Sequence, residues 1–259
     1  MTPPGTTHPL PNRRTMMVAT DRSRLTFLGH ACIAVEHPSG WRLCIDPFPE
    51  EGFAGHSALD ALPDTFTHAL ATHDHLDHAA FHAVPSARRI GLPAAASPGD
   101  VPAGLLVESR LAPHDEYGGR LRGGLVHLVR LVFAPSEGAP PVVLLHAGDL
   151  GEVPAGPLLA WLRERPVDVL LLPVGGHYVL SPSAALETAH LVRPRCVVPL
   201  HARDQGIPLP VMEPLAVFLG LTPHAPEQRV LDLTALPPAG SCTVQPLRPA
   251  RLRRPAGAM

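Results

Sequence analysis

His73-Asp74-His75-Leu76-Asp77-His78 is the stretch whose reading decides the fold. Three imidazoles and two carboxylates in six consecutive residues suit a divalent transition metal far better than a hydrophobic core. In extended chain His73 and His75 project to the same side, so they can share one ion. Asp77 and His78 follow as the chain turns and can face a second ion. Two ions need more donors than this stretch offers, and the remaining candidates stand where predicted strands end: His114, Asp149 after Gly148, and His201.

Around this stretch the 259 residues divide into a disordered N-terminal tail over 1–22, one domain over 23–235 and a loose C-terminal tail over 236–259, both tails rich in Pro and Arg. Met16 and Met17 are alternative starts. Leu25–Leu28, Cys32–Val35 and Trp41–Ile45 read as strands, the last two joined by the His37-Pro38-Ser39-Gly40 turn. Thr65–Thr72 reads as the strand that delivers the histidines, and Asp77–Val84 as a helix stopped by Pro85. Further strands are expected at Leu125–Val132, Val142–His146, Val167–Pro173 and Cys196–Leu200. Helices are expected over Gly156–Arg165 and from the Ser181 cap with Pro182 to about Val192. Early strands followed by strand and helix alternation imply an α/β (α+β) sandwich of sheets covered by helices.

Composition excludes several chemistries. Every one of the 21 basic residues is arginine, so Schiff-base catalysis and a phosphate-loop lysine are ruled out. With 23 acidic residues the balance is nearly neutral, which gives no broad footprint for nucleic acid or an anionic membrane. Cys32, Cys44, Cys196 and Cys242 lack paired spacing and read as buried thiols. No apolar run approaches 18 residues and no signal-like segment opens the chain, so a soluble, cytoplasmic protein is expected. Neither a GxSxG elbow nor a Walker loop is present.

Thr72-His73-Asp74-His75-Leu76-Asp77-His78 resembles the HxHxDH signature of the metallo-β-lactamase superfamily. Phe27-Leu28-Gly29-His30, Ile45-Asp46-Pro47, His114-Asp115-Glu116-Tyr117-Gly118-Gly119 with Arg122-Gly123, and His146-Ala147-Gly148-Asp149 resemble, in order, the motifs of its ascorbate-phosphate-lactonase-like branch of zinc-dependent hydrolases. Leu172-Pro173-Val174-Gly175-Gly176 and Val198-Pro199-Leu200-His201 complete a likeness that spans roughly 24–205.

The resemblance implies a four-layered αββα sandwich, one ion held by His73, His75 and His114, a second by Asp77, His78 and His201, and Asp149 shared between them. It further implies that a metal-bridging water or hydroxide, its pKa lowered from near 16 to roughly 7, attacks a small ester, lactone or phosphodiester. Two Zn2+ per chain are the implied cofactor, since the superfamily's diiron members resemble a pattern with a carboxylate where His75 stands; Mn2+ or Fe are the alternatives. The implied partner is a small-molecule substrate, with neither nucleic acid nor membrane. Rival readings are a nuclease or RNA-processing enzyme of the same superfamily, a redox protein, and a non-catalytic metal binder.

Other residues carry two readings. His30 and Asp46 are either hydrogen-bond partners of ligands or ordinary turn residues. His177, with Tyr178, either donates a proton or binds substrate beside the site, or is an exposed loop residue. His127 competes with His114 as third ligand but lies in a predicted strand. Asp74 is expected to face solvent, His82 to lie on a helix surface, and His146 to be a core or supporting histidine.

Overall fold

The computed structural model describes residues 21–52, 57–93, 98–121 and 123–251. They build two six-stranded mixed sheets packed face to face. The first contains β1 (Arg24–Gly29), β2 (Cys32–Glu36), β3 (Arg42–Ile45), β4 (His68–Leu70) and β5 (Arg88–Arg89). The second contains β6 (Leu106–Pro113), β7 (Leu125–Phe133), β8 (Val142–His146), β9 (Val169–Pro173) and β10 (Cys196–Leu200). Two late strands return to the edges, β11 (Val230–Asp232) antiparallel to β1 and β12 (Thr243–Val244) parallel to β10.

Alternation explains the layering. Leu25, Phe27, Ile33, Val35, Leu43 and Ile45 point one way from the first sheet and meet Val129, Leu131, Leu144, Leu171 and Val198 of the second in a continuous core. The opposite face of the second sheet, with Leu128, Leu145, Leu170 and Val197, lies under α1 (Gly156–Glu164), α2 (Pro182–Val192) and α3 (Leu215–Leu219). Helix α2 begins as expected: Ser181 Oγ accepts the Ala184 N–H at 3.2 Å, and Pro182 fills the first turn. The outer face of the first sheet is covered by Phe48, Leu59, Leu62, Phe66 and Val84, carried on loops and a 3-10 turn (Phe81–Ala83).

Three expectations change. Asp77–Val84 does not form an α-helix. After one turn, in which Ala79 N–H donates to His75 O, the Ala80 N–H is taken by Pro47 O at 3.0 Å, and the helical ladder ends there. The strand expected over Thr65–Thr72 shrinks to β4, because at its end Thr72 N–H donates to the Asp46 carboxylate at 2.7 Å instead of a neighbouring strand. The expected loose tail from 236 is part of the fold through Arg251. There β12 extends the second sheet, Gln245 N–H donates to Val197 O at 2.8 Å, and Leu247 is fully buried. Its Pro and Arg content hides a short apolar edge strand. The N-terminal tail expectation over 1–20 and the last residues, 252–259, lie outside the described residues.

Strand direction positions the site. β1, β3 and β4 run parallel to one another, as do β6, β8, β9 and β10, and the segments that follow their carboxyl ends meet along one edge of the sandwich. Two backbone bonds tie the sheets there: His201 N–H to His30 O at 2.8 Å and His30 N–H to Gln205 O at 2.7 Å.

Candidate metal centre

Seven predicted donors converge at that edge. His73, His75, Asp77 and His78 follow β4, His114 follows β6, Asp149 follows β8 and His201 follows β10. Asp149 Oδ2 is the centre: His78 Nε2 lies 3.2 Å from it, His201 Nε2 3.3 Å, His114 Nε2 3.5 Å and His73 Nε2 3.9 Å. His75 Nδ1 stands 3.1 Å from His73 Nε2 and 3.2 Å from His114 Nε2. The donors sort into His73, His75 and His114; His30, Asp77, His78 and His201; and His73, His78 and Asp149, with ligand atoms within 4.8 Å of one another in each group.

One carboxylate oxygen cannot accept hydrogen bonds from four imidazoles at once. His78 Nε2 and Asp149 Oδ1 are both buried without a hydrogen-bond partner, although His78 Nε2 is only 3.2 Å from the other oxygen. A buried polar atom orphaned in this way costs about 1–3 kcal/mol. Divalent cations would relieve that cost, and the nitrogen and oxygen donor set fits zinc, manganese or iron.

Supporting residues fix ring orientation. Asp46, fully buried, accepts from Thr72 N–H at Oδ1 (2.7 Å), and at Oδ2 from Thr72 Oγ1 (2.9 Å) and His78 Nδ1 (3.1 Å). With its Nδ1 proton committed, His78 presents Nε2 to the cluster. His30 Nε2 lies 3.1 Å from Asp77 Oδ2. The structure thus brings both His30 and Asp46 into contact with donors, beyond a turn role alone. His30, Asp46, His177 and His201 all adopt left-handed backbone, with φ of 56°, 53°, 61° and 59°. Four such non-glycine residues at one edge are strain of the sort concentrated at functional sites.

Close approach requires glycine at two places. Gly148, at φ 53°, lets Asp149 turn back toward the cluster, and a Cβ there would sit 3.0 Å from Thr72 Oγ1. A Cβ on Gly123 would meet His75 Cε1 at 2.6 Å. The segment before it is organised by Asp115, whose carboxylate accepts the N–H groups of Tyr117, Gly119 and Leu121 at 2.8–2.9 Å. That role for Asp115 is visible in sequence only as the residue after His114. Arg122 lies outside the described residues.

Burial and neighbouring charge set protonation. Burial, reinforced by His78, lowers His73 to about 3, and burial with His201 nearby lowers His30 to about 4. Burial also lowers His75. Burial works against ionised Asp77, Asp149 and Asp46, yet the surrounding histidines hold all three below the ordinary carboxylate range. Against burial, Asp149 and Asp77 raise His78. Apart from His78, the shifted histidines are held neutral, the form that binds metal.

The remaining candidates separate cleanly. His127 is on β7 with Nδ1 3.1 Å from Ser109 Oγ and joins none of the three donor groups. His146 is buried, its Nε2 2.9 Å from Ala31 O and its Nδ1 accepting from Gly148 N–H at 3.0 Å. Asp74 and His82 are exposed. His177 is exposed with its ring 4.3 Å from that of Tyr178, edge to face. Tyr178, not His177, lines the cavity over the cluster, together with Leu76 and Leu209. Leu209 has no sequence signal, because it reaches the site from the irregular loop that follows the last motif, His201. No helix among the described residues is long and apolar enough to cross a membrane.

Residues 24–201 match the family described as the Beta-lactamase superfamily domain. A UPF0173 metal-dependent hydrolase of Thermofilum pendens is 32% identical over 197 residues, covering 69% of this chain and 83% of that protein. One of Pyrobaculum arsenaticum is 30% identical over 192 residues, with the same coverage. Among solved structures, a Thermotoga maritima protein assigned as a Zn-dependent hydrolase of the metallo-β-lactamase superfamily superimposes with a TM-score of 0.59 at 26% identity. That alignment covers 87% of this chain and 98% of the other. The matched span runs from β1 to His201 and so contains every donor of the cluster, and on it the chain belongs to the metallo-β-lactamase superfamily.

Proposed function

We propose that this protein is a metal-dependent hydrolase with two divalent ions per chain, zinc foremost, acting on a small ester, lactone or phosphodiester. The observation that carries the reading is the convergence of four imidazole nitrogens on Asp149 Oδ2 around orphaned His78 Nε2. In this reading His73, His75 and His114 hold one ion, Asp77, His78 and His201 the other, and Asp149 is shared. When bound, such ions polarise a carbonyl or phosphoryl oxygen and make water a usable nucleophile near neutral pH.

The chain's own residues do the rest. Asp46 keeps His78 in the tautomer whose Nε2 is free to ligate, and His30 holds Asp77. Asp77 lines the cavity and remains a carboxylate, held so by His78 and His30 against burial, which lets it accept a hydrogen bond from the attacking water and orient it. His177, one ring removed from the cavity across Tyr178, is assigned the proton that the leaving group takes up. The relatives' name, metal-dependent hydrolase, supports the activity.

The test is elemental analysis of purified protein followed by a hydrolysis screen on the same sample with and without chelator. Close to two ions per chain and chelator-sensitive turnover are expected. Absence of bound metal after reconstitution, or hydrolysis indifferent to chelator, would overturn the reading.

A further inference from the structure

The cavity over the histidine cluster has a volume of about 290 Å3, near the lower end for small-molecule sites. Its floor is His75, Asp77, His114, Asp149 and His201, and the other residues lining it are Leu76, Tyr178 and Leu209. Leu76 stands 58% exposed between two predicted ligands. No arginine lines this cavity among the described residues, and the chain has no lysine at all. Cations are not scarce elsewhere: a second cavity, beside β6 and α1, is lined by Arg110 together with Glu108 and Glu164.

This division of polarity bears on the part of a substrate that does not react. An anionic substituent remote from the scissile bond would be desolvated against Leu76 and Leu209 with no guanidinium among the described lining residues to receive it, a costly placement. An alkyl or aryl substituent would instead remove those leucines and the Tyr178 ring from water. We propose that the cavity receives an uncharged apolar substituent, so that the substrate is a small neutral carboxylic ester or lactone and not a phosphorylated one. The inference rests on the hydrolase reading and narrows it. In the reaction water gives up a proton as its oxygen bonds to the acyl carbon, the bond from that carbon to the alkoxy oxygen breaks, and the alkoxide takes up a proton in turn. A lactone therefore yields a hydroxy acid.

The experiment uses the full chain loaded with zinc and three γ-lactones that differ at one position: γ-butyrolactone, γ-hexalactone with its ethyl group, and γ-carboxy-γ-butyrolactone. Bis(p-nitrophenyl) phosphate is run alongside. The ethyl compound is expected to exceed the unsubstituted ring in kcat/KM by roughly fourfold per buried methylene, and the carboxylated one to fall at least tenfold below it. Leu209→Ser should remove most of the ethyl advantage, read within the variant as the ratio of kcat/KM for the ethyl compound to that for the unsubstituted ring. A carboxylated lactone turned over as well as the ethyl one would overturn the proposal, and Arg122→Ala would then show whether that arginine receives the charge. Hydrolysis of the phosphodiester without any lactone would sink this inference and leave the hydrolase reading standing. Inertness toward all four at full metal loading would count against both.

Discussion

Asp46 Oδ2 and His78 Nδ1 lie 3.1 Å apart, both fully buried, and the pair links the end of β3 to the first turn after β4. Because Asp46 is held ionised by His78 and the neighbouring histidines against burial, it can only accept, so His78 Nδ1 donates. The proton's place on His78 is thereby decided outside the donor cluster. Asp46→Asn keeps the shape but can present an amide N–H to the ring. In the proposed two-ion arrangement it should weaken binding at Asp77, His78 and His201 by about 10–100-fold, read by chelator competition, while binding at His73, His75 and His114 changes less. Wild-type affinity at both positions in the variant would remove Asp46 from the support of the site.

The donor assignment itself is tested by truncation. Asp77→Ala and His201→Ala should each lose about one ion per chain by elemental analysis and abolish turnover. His114→Ala should also lower metal content, whereas His127→Ala, whose ring is engaged with Ser109, should leave it intact. Metal loss in His127→Ala with none in His114→Ala would reverse the assignment of the third ligand.

Much of this site was legible in the sequence because its donors come in compact motifs at strand ends. His73, His75, Asp77 and His78 announce themselves by spacing, and His114, Asp149 and His201 by Asp, Gly or an apolar strand beside them. Parallel strands ending at one edge then bring together residues more than a hundred positions apart. What escaped the sequence lies where local pattern is weakest. Pro47 interrupts the helix expected over Asp77–Val84 by accepting the Ala80 N–H, a tertiary contact with no local mark. Strand β12 is two residues long, set among Pro and Arg, and exists because β10 offers it an unpaired edge. Leu209 is a leucine like many others until its loop folds back over the cluster.

Acid should destabilise the metal-free protein well before its carboxylates titrate. Burial lowers His30 to about 4 and His73 to about 3, both from 6.5. Between about pH 6.5 and 4 the unfolded chain therefore binds more protons than the folded one, and stability falls as pH falls, by up to about 1.4 kcal/mol per pH unit for each group. His78 is shifted the other way, so its contribution is complete below 6.5 and does not oppose the trend. Thermal melts of chelator-stripped protein should show a progressive drop in Tm as pH is lowered in steps from about 6.5 to about 4.5, the window in which His78 is already fully protonated and only the lowered rings titrate. A flat profile across that range would mean these rings are not held neutral by burial.

Gly148 tests whether backbone geometry at the Gly-Asp turn is as strict as the contacts imply. Its φ of 53° costs a side-chain-bearing residue about 1–2 kcal/mol, and an added Cβ would press on Thr72 at 3.0 Å. Thr72 in turn donates twice to Asp46, so the strain passes to His78. Gly148→Ala should lower stability by about 1–3 kcal/mol and, in the folded fraction, weaken metal binding. A variant with lowered Tm but wild-type metal affinity would show that the turn is needed for folding alone.

His177 and Tyr178 are adjacent residues whose proposed roles can be separated. Tyr178 lines the cavity, while the exposed His177 packs edge-on against it; the proposed roles are substrate packing for the first and the leaving-group proton for the second. If His177 supplies that proton, His177→Ala should slow esters with poorly acidic alcohol leaving groups by about 10²–10⁴-fold and spare those with acidic phenols, whose oxyanions depart unprotonated. Tyr178→Ala should instead raise KM across the series, since it removes wall and not acid. The slope of log kcat against leaving-group pKa separates the two: steeper in His177→Ala and parallel to wild type in Tyr178→Ala. A His177→Ala slope parallel to wild type would return His177 to the role of an exposed loop residue and leave the proton to water.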